Sequence, residues 1–212
     1  MMKIQSPFGP KIAIIKIPNK IISKINNEVD GILKNKSKTK KSDYSNKLVG
    51  EVKQELALSK SFVNKYLINF LKNNIKNFIK KSSNKKIKKI KLKKFWVVRQ
   101  FKNEYNPIHY HSGSISGVGY LKIPKNFMKS KKKTKTNGTI DFIHGSRSLL
   151  NKSIFNHRPK VGDMIIFPNY LMHTAYPFNV EVKEDLFHSI LILIKNFRYN
   201  KWIKFKKCSW RE

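Results

Sequence analysis

Three histidines carry the clearest chemical signal in this chain. His109 and His111 stand two residues apart in His109-Tyr110-His111, and His173 follows an apolar run that opens at Met164 and closes at Met172. Residues at i and i+2 of a strand project from one face, roughly 6–7 Å apart at about 3.3 Å rise per residue. Two imidazoles so placed can converge on one metal ion. A third, from a distant strand, completes three protein ligands on one side and leaves the remaining positions open, an arrangement that suits non-haem iron.

The elements that must hold these side chains can be read from periodicity. Phe8 to Ile17 reads as an opening strand stopped by Pro18, and Asn19 as the cap of a helix to about Leu33, with Ile21, Ile22, Ile25, Val29 and Leu33 on one stripe. Residues 34–46 read as a polar loop. A second helix is expected from Ser59 to about Lys80, with Phe62, Tyr66, Phe70, Leu71, Ile75, Phe78 and Ile79 at helical spacing. The lysine cluster of residues 80–94 reads as a solvated helix end and strand edge. Strands are then expected at 95–101, 115–123, 139–143, 164–167 and 188–197, separated by turn signals such as Asn137-Gly138. Short strands after a helical start imply a mainly β protein with N-terminal helices, a closed double-sheet jelly roll. One domain over 1–212 is expected: a helical part at 1–89 packing on a barrel at 90–198, then a tail at 199–212.

Composition bounds the function. The formal net charge is +34, yet only five of the 46 basic residues are arginine: Arg99, Arg147, Arg158, Arg198 and Arg211. Lysine, asparagine and isoleucine share AT-rich codons, so a low-GC genome accounts for the bias. Phosphate and base-edge readers favour arginine for its bidentate fork, so loose electrostatic association with nucleic acid is expected rather than specific recognition. Lysine or asparagine interrupts every hydrophobic run, which argues against a membrane span. Lys11 and Lys16 break any signal-peptide core. The single cysteine, Cys208, excludes an intrachain disulfide and a cysteine-based zinc site, and suits a reducing cytoplasm, the host's if the source is viral.

A family resemblance enters through five ordered segments. These are Asn106-Pro107-Ile108-His109-Tyr110-His111-Ser112-Gly113, then Ser116-Gly117-Val118-Gly119-Tyr120-Leu121-Lys122-Ile123-Pro124, then Gly138-Thr139-Ile140-Asp141-Phe142. Gly162-Asp163-Met164-Ile165-Ile166-Phe167-Pro168 and His173 with Tyr176-Pro177 complete the set. Together they resemble the 2-oxoglutarate and Fe(II)-dependent oxygenase superfamily, in particular a branch found in marine bacteria and tailed phages. The resemblance implies a double-stranded β-helix, a cupin-like jelly roll, using Fe(II), 2-oxoglutarate and O2 to hydroxylate an unidentified substrate. It implies His109, His111 and His173 as metal ligands.

Two positions depart from the family pattern. His111 stands where most members have a carboxylate, which leaves the bound site one unit more positive. Asp141 is the alternative third ligand, or a partner behind a ligand imidazole. The arginine that usually anchors the far carboxylate of 2-oxoglutarate is replaced by His188. His188 with Ser189, Lys122 and Tyr120 are the candidate cosubstrate contacts, and loop arginines (147, 158 and 198) remain open. Gly113, Gly117 and Gly119 are expected to let the backbone pass close to the site, and residues 127–136 to form a lid. His144 and His157 read as surface or loop histidines, and Trp96, Phe101 and Phe142 as barrel packing. The alternatives are a metal-binding, cupin-like protein without oxygenase activity, and a basic nucleic-acid-associated module. A barrel with strand edges often pairs, so a homodimer is one further expectation.

Overall fold

The computed structural model describes residues 2–5, 9–125, 127, 136–149, 151–179 and, as backbone of one strand, 187–199. The expected lid over 127–136 and the tail with Cys208 therefore lie almost wholly outside the described residues.

The chain opens with β1 (Lys3–Gln5) and β2 (Ile12–Lys16). Helix α1 (Asn19–Leu33) already includes Asn19, its expected cap, so the true cap lies one residue earlier. Pro18 is the N-cap, extended at φ −60° and ψ 139°, and no side chain caps the helix. Its Ile22, Ile25, Val29 and Ile32 are buried. The expected loop at 34–46 contains a helix instead, α2 (Lys36–Ser42). Its polar composition hid it, and no residue of it is buried. The Asn35 side chain accepts from Lys38 N at 3.0 Å and so supplies the N-cap that starts it. A short 3-10 turn (Ser45–Lys47) leads into a strand the periodicity had not shown, β3 (Gln54–Ala57).

The second expected helix is two. α3 (Lys60–Tyr66) begins at Ser59, whose hydroxyl accepts from Phe62 N. α4 (Ile68–Ser83) follows the break at Leu67 and ends at Asn84 in the left-handed region, φ 54°. The long β4 (Ile87–Gln100) takes in much of the lysine cluster as strand. Then come β5 (Asn106–His109), β6 (Ile115–Lys122), β7 (Ile140–Ile143), β8 (Ile154–His157), β9 (Asp163–Pro168), β10 (Met172–Ala175) and β11 (Phe187–Tyr199).

All pairings are antiparallel and form two sheets, ordered β1-β2-β9-β6-β11-β4-β3 and β5-β10-β7-β8. Inward side chains of both sheets meet in one cluster: Ile12, Val118, Tyr120, Ile165 and Phe167 from the large sheet against Ile140 and Phe142 from the small one. This is jelly-roll packing. The other face of the large sheet is covered by the helices, through Ile25, Val29, Leu71, Ile75 and Phe78 against Ile15, Val97, Leu121 and Ile166. The alternation of β6 and β9 thus feeds two cores, which is why these strands read as nearly continuous apolar runs. Gly119 belongs to the helix side: a Cβ there would lie 2.7 Å from Ile17 Cδ1. Its close approach serves this outer core and not the histidines.

Candidate metal centre

The small sheet positions the histidines. His109 on β5 stands directly opposite His173 on β10, whose other neighbour is Phe142 on β7. Such cross-strand partners hold their Cβ atoms about 4.5–5.5 Å apart. His111 lies beyond the last residue of β5, but the alternation persists: Ile108 and Tyr110 are exposed, while His109 and His111 are half-buried. An asparagine latch holds this extension. His111 N donates to Asn169 O at 3.0 Å, Asn169 Nδ2 donates to Ser112 O at 2.8 Å, and Ser116 Oγ donates to Asn169 Oδ1 at 3.1 Å. Asn169 is 2% exposed. It sits in the turn between β9 and β10, and sequence reasoning had passed over it as part of an apolar run.

The three rings meet with centroids 4.3, 4.8 and 5.0 Å apart, and one ring nitrogen from each lies within 4.8 Å of the others. Two of them share one local device. His109 Nδ1 donates to Pro107 O at 2.7 Å and His173 Nδ1 to Leu171 O at 2.9 Å, each to the carbonyl two residues earlier. A carbonyl can only accept, so Nδ1 carries the proton and the Nε2 lone pair is left free. His111 Nε2 is buried with no hydrogen-bond partner. Burial lowers the pKa of all three. His111 falls to about 4 and His173 to about 3, in each case with added repulsion from His109. Neutral imidazoles with open lone pairs and one orphaned buried nitrogen fit a divalent cation. Two nitrogens about 2.1 Å from one ion, at right angles, stand about 3 Å apart. The widest pair must therefore close by under about 2 Å, which lies within reach of side-chain rotation.

Asp141 is not part of the cluster. Its carboxylate accepts from Asn156 Nδ2 at 2.6 Å and Tyr176 Oη at 3.1 Å, and its strand partner is Thr174 rather than His173. Phe142 and Phe167 pack against the His173 ring at centroid distances of 6.0 and 4.9 Å and are fully buried. They close the inner side of the site to water.

The cluster opens on a cleft of about 540 Å³, lined also by Lys47, Glu55, Lys94, Trp96, Gln100, Asn106 and Tyr120. Of the expected cosubstrate contacts, Tyr120 lies in this cleft, buried, with its phenol pKa raised by burial and by Asp163. Lys122, at the exposed end of β6, is not among the lining residues. His188 pairs in register with Arg99 and Lys122, and Ser189 with Val98 and Tyr120; their side chains lie outside the described residues. The described lysines that line the cleft are Lys47 and Lys94, which sequence reasoning missed. The signal for Lys94 was present: it stands two residues before the inward-facing Trp96.

His157 corrects another expectation. It ends β8 with its side chain mostly buried, Nε2 3.3 Å from Asp163 Oδ2 without hydrogen-bond geometry, and its ring stacked on Tyr120 at 6.3 Å. Lys16 also pairs with Asp163.

Comparison with known proteins agrees with this geometry. Residues 94–184, which span both halves of the histidine cluster, match the family model described as "Putative 2OG-Fe(II) oxygenase". The chain resembles the 2-oxoglutarate and Fe(II)-dependent oxygenases. Similar solved structures include a prolyl-4-hydroxylase from Pseudomonas putida (TM-score 0.58, 10% identity, 87% of this chain and 91% of that one). Another is a prolyl hydroxylase from Trichoplax adhaerens, solved with a hypoxia inducible factor peptide fragment (TM-score 0.58, 12% identity, 87% and 83%). A third is the viral collagen prolyl hydroxylase of Paramecium Bursaria Chlorella virus-1 in its 2OG complex (TM-score 0.51, 15% identity, 86% and 94%). At these identities the structural likeness establishes the fold. No curated protein sequence matches the chain. No helix among the described residues is long and apolar enough to cross a membrane.

Proposed function

We propose that the chain is an Fe(II)- and 2-oxoglutarate-dependent oxygenase, in which O2-dependent decarboxylation of 2-oxoglutarate is coupled to hydroxylation of a substrate in the histidine cleft. The observation that carries this reading is the convergence of His109, His111 and His173, with the Nδ1 atoms of His109 and His173 tied to backbone carbonyls. A ferrous ion held there would supply the redox chemistry by which O2 gives one oxygen atom to 2-oxoglutarate, leaving succinate and CO2, and the other to a substrate C–H bond, leaving an alcohol.

The protein's own part is positioning. Pro107 and Leu171 fix the tautomers of two of the rings, and the Asn169 latch holds the backbone that carries the third. Phe142 and Phe167 exclude water behind them. The Tyr120 phenol stays protonated and can donate to a carboxylate, while Lys94 and Lys47 bring positive charge to the cleft walls. These residues are the described candidates for holding a dicarboxylate where the usual arginine is missing.

A second reading, metal binding without oxygenase chemistry, draws on His111 in place of a carboxylate. Succinate release from 2-oxoglutarate with Fe(II) and ascorbate separates the two. Oxygenase function predicts succinate above a no-enzyme control, together with a rise in Tm on adding 2-oxoglutarate to the metal-loaded protein. A Tm that responds to metal and ignores 2-oxoglutarate, with no succinate, selects the second reading.

A further inference from the structure

We propose that the open edge of β4, at residues 90–95, is a docking lane for an extended acidic peptide of a partner protein, which adds to the large sheet as a strand in line with β3. The inference goes beyond the oxygenase reading and does not rest on it.

The edge is left open by a difference in length. β4 (Ile87–Gln100) is paired with β11 along its whole run. On its other side β3 reaches only residues 96–99. One more bond, from Leu58 N to Phe95 O at 3.2 Å, ends the ladder, and Ser59 then caps α3 and turns the chain away. Among the described residues, no strand lies beside residues 87–94 on that side. Unpaired backbone on a sheet edge is a template for another strand.

The space into which β3 would continue is a groove of about 470 Å³. Its lining is apolar along the floor: Leu58 at the end of β3, Ile90, Leu92 and Phe95 from β4, and Val63 and Ile68 from the helices. Four of these are buried, while Leu92 and Ile68 are half-buried. The groove therefore joins a free backbone edge to an apolar bed, the two features that strand addition uses for affinity and for side-chain choice.

Charge on the banks decides the occupant. Lys91 and Lys94 line the β4 side and Lys60 and Lys72 the helical side, and no aspartate or glutamate lines the groove. None of the four lysines forms an ion pair among the described residues. Cations on facing banks favour an anionic group between them. A second copy of this chain brings a formal charge of +34 to the same place. The chain's own final segment brings Lys201, Lys204, Lys206, Lys207 and Arg211 against Glu212. Both are repelled. β4 also carries a bulge here, since Leu193 faces Lys94 and Ile194 faces Leu92. A bulged edge deters long edge-to-edge pairing of two sheets and leaves room for a short strand. A strand alternates its side chains between two faces. One with apolar and acidic residues in alternation sets its apolar groups on the floor and holds its carboxylates up to the lysines at the rim. Trp96 and Lys94 also line the histidine cleft, so the docked peptide lies against the other side of the cleft wall.

The test uses the full chain and three labelled peptides. The first is acetyl-Glu-Val-Glu-Ile-Glu-Val-Glu-amide. The second carries glutamine in place of every glutamate, and the third is the acidic peptide with its internal amides N-methylated, which removes its strand donors. Binding is measured by fluorescence anisotropy. The acidic peptide is expected to bind at least about tenfold tighter than the glutamine peptide at low salt, with the difference shrinking at high salt. N-methylation should weaken it by at least about tenfold, because the ladder cannot form. Lys60 and Lys91 are exposed, so Lys60→Glu with Lys91→Glu should keep the far-UV circular dichroism of the wild type and lose the acidic preference. Backbone amides of residues 90–95 should exchange more slowly with the acidic peptide bound. Equal binding of the acidic and glutamine peptides, or no binding of either, overturns the proposal. Undiminished binding of the N-methylated peptide overturns strand addition, and an unchanged preference in the double variant overturns the placement. A dimer in sedimentation that the acidic peptide disperses would assign the lane to a second copy and overturn the acidic partner. The two comparisons among peptides use the wild-type protein alone, so they decide the matter even if the double variant fails to fold.

Discussion

Two histidine environments in the small sheet use their ring nitrogens in opposite ways. In the cleft, His109 and His173 spend Nδ1 on backbone carbonyls that carry no charge, and His111 Nε2 stays unpaired. At the end of β8, His157 turns Nε2 toward the Asp163 carboxylate, which Lys16 also contacts. Both are at least half-buried and both have lowered pKa values, chiefly from desolvation. Burial and a depressed pKa therefore do not distinguish a metal centre from a structural contact. What distinguishes them is whether a lone pair is left facing other lone pairs.

The largest expected effect comes from breaking the first environment. His173→Ala removes the ring opposite His109 and should weaken Fe(II) or Co(II) binding by at least about 100-fold in metal titrations, abolishing any metal-dependent rise in Tm. His157→Gln should leave the metal affinity within about twofold. If both substitutions weaken the metal equally, the contrast between the two environments fails.

A smaller effect is expected at the latch. Asn169 touches no candidate ligand ring, yet it holds the backbone of His111 and Ser112. Asn169→Ala should reduce metal affinity about tenfold, the lower end for residues that orient ligands, while His109 and His173 stay paired across the strands. Metal binding unchanged in this variant would show that His111 is not a ligand and that the centre rests on two histidines.

The contrast also explains how much was legible beforehand. The three histidines and their convergence followed from spacing and family resemblance, because period-two alternation survives even where β5 ends before His111. The jelly roll was legible because β6 and β9 are buried on both faces and carry little but apolar residues. Helix α2 was not, since Asn35 starts it by a cap and no apolar stripe marks it. Strand β3 was hidden because Gln54, Glu55, Leu56 and Ala57 alternate only weakly, and it brought Glu55 into the cleft. His157 was misread because β8 is four residues long with an exposed Ile154, and its partner Asp163 lies across an intervening loop. Local pattern reveals which residues face inward. It does not reveal which polar atom each will meet.

The smallest effect sharpens the second environment. His157 has a pKa below 6.5 because desolvation outweighs the pull of Asp163, with Lys16 and Lys160 adding repulsion. A histidine with a depressed folded-state pKa contributes stability above its unfolded value and loses it as pH falls toward the folded one. His157→Gln should therefore destabilise the protein by roughly 1 kcal/mol at pH 7.5, through lost contact with Tyr120 and Asp163. That deficit should narrow as pH is lowered below 6.5, because wild type alone must resist protonation at this position. Denaturant midpoints of both proteins between pH 5.5 and 7.5 measure it. A deficit that widens toward low pH would mean that His157 binds Asp163 as a charged imidazolium, and that the carboxylate rather than burial governs this ring.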